Sequence, residues 1–125
     1  VAMQDPELEI LIERLENQSD LTLADFDGVL HALAFLLPDA VPRDEHAAQR
    51  IGTADGAMHV ADDAFPDWDV HIRGRAYGKH GRWHCTLREN DARDSDAAIG
   101  LGQSPVLGQA ILAAVLRLAM ILKKD

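Results

Sequence analysis

A single cysteine, Cys85, stands in the 125 residues. That excludes an intramolecular disulfide and the multi-cysteine zinc patterns, and a lone thiol suits a reducing, cytoplasmic compartment. No signal peptide precedes the first helix, and Met3, after Val1-Ala2, reads as the native start. No internal repeat or linker-like break divides the chain, so one domain over residues 1–125 is expected. Long apolar runs are almost absent as well. The longest, Pro105 to Leu122, is interrupted by Gly108, Gln109 and Arg117. A charge at mid-helix costs about 3 kcal/mol in lipid, so this run reads as a core helix rather than a membrane span. Cations are scarce: 12 Lys and Arg stand against 21 Asp and Glu, for a formal net charge of −9. The overall field of such a chain repels nucleic acid and anionic membranes. A basic patch can still act locally, because charges beyond about 10 Å are screened.

What is present is the composition of a soluble globular protein, 47% hydrophobic and 26% charged. Asp5-Pro6-Glu7 marks a helix start, and Leu8, Leu11, Ile12 and Leu15 follow at helical spacing. Thr22, three residues before Asp25, forms a capping-box variant for a second helix. Its stripe is Leu23, Phe26, Val29, Leu30, Leu33, Leu36 and Leu37, and Pro38 stops it. These two helices are expected to form an antiparallel pair. Residues 38–52 read as a loop holding one helical turn, and Asp55 to Ala64 as a short helix burying Met58, Ala61 and Ala64.

Between residues 70 and 88 the pattern changes to a period of two, the signature of a β-hairpin. Val70, Ile72, Trp83, Cys85 and Leu87 form the apolar row. His71, Arg73, Arg75, Arg82, His84, Thr86 and Arg88 form the other, with a turn at Gly78-Lys79-His80-Gly81. This hairpin carries five Lys and Arg and no acid, and its +5 leaves −14 for everything else. An acidic loop follows from Glu89 to Asp96, and Ala97 to Leu101 reads as a third strand. Ser104 and Pro105 then open the last helix as N-cap and first residue. That helix has two apolar faces. Leu107, Ile111, Val115, Leu118 and Leu122 make one; Leu112, Leu116, Ala119 and Met120 belong to the other. The sheet covers one face, and the N-terminal helices or a second subunit the other.

The expected architecture is therefore α+β. Helices occupy about 5–64, a small antiparallel sheet of about three strands 69–101, and a long C-terminal helix, 105–122, packs on the sheet. No catalytic residue, metal ligand set or cofactor site is assigned. Gly100-x-Gly102 begins like a dinucleotide fingerprint, but Pro105 stands at the third glycine, so a glycine turn from strand to helix is the reading. His80, His84 and Cys85 are zinc-ligand types, yet His84 and Cys85 alternate in direction along one strand. Cys85 reads as a buried small hydrophobe. Asp62-Asp63 and Asp94-x-Asp96 read as solvated surface. His71 and His84, if opposite each other among arginines, would resist protonation.

The segments Thr53 to Ala61 (TADGAMHVA), Pro66-Asp67-Trp68 and Gly102 to Leu116 (GQSPVLGQAILAAVL) resemble the phage ABA sandwich family. The likeness spans roughly residues 5–122 and implies small phage or prophage proteins of α-β-α layering, without catalytic residues. The helix–strand–strand–strand–helix order is also similar to double-stranded-RNA-binding-like folds. The function expected is a non-enzymatic phage-like or bacterial accessory protein acting through protein–protein contacts, as a homo-oligomer. Its candidate partner face is His71, Arg73, Arg75, Lys79, Arg82, His84 and Arg88, which suits an acidic protein surface. Its candidate oligomer interface is Leu112, Leu116, Ala119 and Met120. The alternative is a nucleic-acid-binding module using the same basic face.

Overall fold

The computed structural model describes residues 5–42, 45–74, 82–89 and 99–124. Five helices and three strands follow in the order α1 (Asp5–Asn17), α2 (Leu23–Leu36), α3 (Ala47–Ile51), α4 (Ala54–Ala64), β1 (Trp68–Gly74), β2 (Trp83–Glu89), β3 (Ile99–Ser104) and α5 (Leu107–Lys124). A 3-10 turn at Pro38–Ala40 separates α2 from α3. The fold is α+β, with the C-terminal helix packed on a three-stranded antiparallel sheet of order β1-β2-β3.

Local chemistry explains the boundaries. The Thr22 hydroxyl accepts the Asp25 N–H at 3.3 Å while Thr22 N–H donates to the Asp25 carboxylate at 2.9 Å, a complete capping box. Thr53 caps α4 by accepting from Gly56 N–H at 3.0 Å. Pro66 and Asp67 turn the chain from α4 into β1. Trp68 N–H reaches Phe65 O at 3.2 Å and Asp67 has φ 72°, the type II geometry with proline in its preferred place.

The core is organised around α5. From Gly108 to Met120 only Arg117 is not buried. One side of α5 lies on β2 and β3, and α1, α2 and α4 pack around the rest of it. Leu112 and Leu116 are fully buried, and Ala119 and Met120 are 4% and 8% exposed. The chain's own helices thus cover the second face of α5. The four residues expected at an oligomer interface lie in the core and form no exposed surface.

Helix and sheet meet backbone to backbone. A Cβ on Gly100 would stand 2.7 Å from the Ala114 carbonyl oxygen and 2.8 Å from Leu118 Cβ. On Gly102 it would overlap the Ala110 carbonyl and stand 2.6 Å from Ala114 N. These glycines lie within β3, where a side chain would push α5 off the sheet. They are not a turn between strand and helix. Ser104 ends the strand, its hydroxyl accepts Val106 N–H at 3.1 Å, and α5 begins at Leu107.

Other local expectations differ from the structure. α1 and α2 touch each other little; each packs mainly elsewhere, α1 on α5 and α2 on α3. Their direct link is Arg14 to Asp25 at 2.6 Å. Ala61 is buried as expected, but Met58 is exposed, because the inward side of α4 is completed by Gly56, Ala57 and Val60. Leu23 is 58% exposed at the first turn of α2.

Candidate functional site

The strand register sets what each face of the sheet carries. Val70 pairs with Leu87 and Ile72 with Cys85, and these two β2 residues face Gly100 and Gly102 on β3. That is the face against α5. On the other face Asp69 pairs with Arg88, His71 with Thr86, and Arg73 with His84; β3 adds Ile99, Leu101 and Gln103. Among the described residues no helix covers this second face. His71, Arg73, His84, Arg88, Leu101 and Gln103 are all exposed on it. His71 and His84 are not opposite each other: Thr86 faces the first and Arg73 the second. Arg75 and Lys79, and the turn at 78–81, lie outside the described residues, as does most of the acidic loop after Glu89.

Arg82 does not join the open face. It is half-buried, and its guanidinium donates to the Glu16 carbonyl oxygen at 2.6 Å, near the C-terminal end of α1. A cation there satisfies an orphan carbonyl and meets the negative end of the helix. Gln109, buried in α5, grips the same place. Its amide donates to Leu15 O at 2.9 Å and to Gln18 O at 2.5 Å. The end of α1 is thereby fixed beside β3.

This places Glu16 along the outer edge of β3. The Glu16 carboxylate accepts Gln103 N–H at 3.1 Å. Arg117 binds both Glu16 oxygens at 2.8 Å and donates to Leu101 O at 2.7 Å. Hydrogen bonding to Glu16 raises the Arg117 pKa above its ordinary value, against the opposing effect of burial. An N–H and a C=O that an edge strand would leave unpaired are thus taken by an ion pair. Between this pair and the open face runs a shallow groove, lined by Arg73, His84, Thr86 and Gln103.

The sequence reading missed Glu16; the signal that could have found it is its place four residues after Ile12, on the buried stripe of α1. Arg117 gave a matching signal, a charge within an apolar helix. Nothing in the sequence paired the two. Cys85 is buried, and burial pushes its thiol up to about 11, so it stands as a protonated core side chain. Among the described residues no three His, Cys, Asp or Glu gather as metal ligands, and no helix is long and apolar enough to cross a membrane. Comparison with protein-family models, curated proteins and solved structures gives no match to this chain.

Proposed function

We propose that this chain is a non-enzymatic accessory domain, phage-like or bacterial, that works in the cytoplasm through protein–protein contacts. The open face of the sheet is its contact surface, and the partner it suits is an acidic protein surface. One observation carries this reading: His71, Arg73, His84 and Arg88 stand exposed on a face that no described helix covers. Leu101, 54% exposed, lies among them. A large apolar side chain amid cations fits a protein surface, where an apolar contact is rimmed by charge.

The test is a titration of the isotope-labelled protein with a polyglutamate peptide, followed by amide shifts at about 50 mM salt, where electrostatic affinity is greatest. Shifts centred on residues 71, 73, 84, 88 and 101, and lost in a His84→Glu/Arg88→Glu variant, support the reading. No shift at these positions overturns it. The openness of the face also favours a second reading, a nucleic-acid backbone as ligand. A DNA or RNA duplex that moves the same amides more strongly than polyglutamate would select it. The net charge of −9 opposes any acidic partner and opposes the dense charge of a nucleic-acid backbone most, which weighs for the protein surface.

A further inference from the structure

The two edges of the sheet are unlike. The β3 edge is closed by Glu16 and Arg117. Along the β1 edge no described strand pairs; α4 borders Trp68 and Val70 on the core side, and beyond them His71, Ile72, Arg73 and Gly74 are exposed. Ile72 is telling. It lies on the core side of the sheet, paired with buried Cys85, yet it remains 38% exposed. An open edge offers backbone donors and acceptors to another strand.

The order of side chains along β1 suits one occupant, a second β1. Two antiparallel copies related by a two-fold axis through the sheet must pair about a residue, since a one-residue slip reverses the faces. Centred on His71, the middle of Trp68–Gly74, the whole strand overlaps its copy. Asp69 then faces the second copy's Arg73, and Val70 faces its Ile72, each contact made twice. Centred on Ile72, His71 would face Arg73 twice and Asp69 would pass beyond the strand, whereas the His71 register sets one basic pair only, His71 on its own copy. Centred on Val70, the overlap shortens, and Arg73 falls opposite Asp67, which the turn before the strand (φ 72°) holds outside the ladder. Opposite charges and apolar pairs stabilise facing strands, and like charges destabilise them.

We propose that two copies of this chain pair antiparallel through β1, in the register centred on His71, joining two sheets into one of six strands. The contact uses the edge of the sheet and so goes beyond the partner face proposed above. One strand edge is a small interface, so self-association with a Kd of about 100 µM is expected.

The experiment is sedimentation velocity from about 10 µM to about 1 mM, spanning that Kd on both sides. It uses the unaltered chain, Asp69→Arg, Arg73→Asp, and an equal mixture of the two variants. Asp69→Arg leaves the row without an acid, and Arg73→Asp gives it two. The expected result is a concentration-dependent dimer for the unaltered chain, a tenfold or greater weakening for each variant alone, and dimer recovered in the mixture. Recovery in the mixture shows that both variants are folded. A chain that stays monomeric to about 1 mM overturns the pairing. So do variants that dimerise as the unaltered chain does, or a mixture that fails to recover while circular dichroism shows both variants folded.

Discussion

Arg117 of α5 holds Glu16 of α1 by two hydrogen bonds of 2.8 Å, and between them the two side chains occupy the edge of β3. The carboxylate is 11% exposed at its side chain and the guanidinium 38%. Removing the guanidinium leaves a buried charge without its partner and Leu101 O without its donor. Breaking a buried pair costs about 3–5 kcal/mol, and the partial exposure of Arg117 lowers the figure for Arg117→Ala to about 2 kcal/mol. Arg117→Lys recovers less than half, because one ammonium cannot reproduce the fork and the third bond together. Urea denaturation of the two variants measures both values.

Gly102 and Gly28 make opposite predictions for the same change. Gly102→Ala drives a methyl into the α5 backbone and destabilises by about 3 kcal/mol or more. Gly28 lies within α2 with nothing within 4 Å of a Cβ. Gly28→Ala therefore stabilises by about 0.5–1 kcal/mol through helix propensity. Thermal melts of the pair move in opposite directions.

Cys85 is expected to resist alkylation near pH 8 while the chain is folded, and to react once urea opens the core. Its raised pKa also ties stability to alkaline pH. The folded thiol keeps its proton to about 11, whereas the unfolded one ionises near 9.0. The unfolded state therefore releases protons first, and stability falls as pH rises between those values. That difference corresponds to a loss of about 3 kcal/mol. Cys85→Ala flattens that alkaline slope, and denaturation midpoints across pH 8.5–11 reveal it.

Asp25 couples stability to acid in the reverse sense. The Thr22 backbone N–H, with help from the Thr22 hydroxyl and Arg14, holds its carboxyl below the ordinary 3.8, despite the opposing cost of burial. The stabilisation is present above about pH 4 and is lost as pH falls through the lowered folded value. Asp25→Asn is expected to remove that part of the acid dependence, seen as a shallower fall in urea midpoint below about pH 4.

Much of the fold was legible because its signals are local. Thr22 with Asp25, Pro38 after α2, and the alternation from Val70 to Leu87 each mark an element without reference to anything distant. The burial of Leu112 and Leu116 was half legible: two apolar faces demand two covers, but the pattern does not say whether the second cover is the same chain. Gly100 and Gly102 misled for a physical reason. A glycine that lets a chain turn and a glycine that lets a helix approach look alike until the helix is in place. The basic row divided likewise. Arg73 and His84 stayed on the open face, while Arg82, in the same row by alternation, was drawn to the end of α1. That end arrives from 66 residues away, and no periodicity encodes such a contact.

The closure of β3 has a bearing on how far assembly through β1 can run. A sheet that can add strands at both sides has two valences, and its copies grow into a filament without limit. With the β3 side occupied by Glu16 and Arg117, the proposed pairing leaves each copy a valence of one, and growth would stop at the pair. The ion pair is then a chain terminator as well as a brace. Its loss is expected to turn the proposed pair into an open-ended assembly, seen as aggregation at protein concentrations where the unaltered chain shows none.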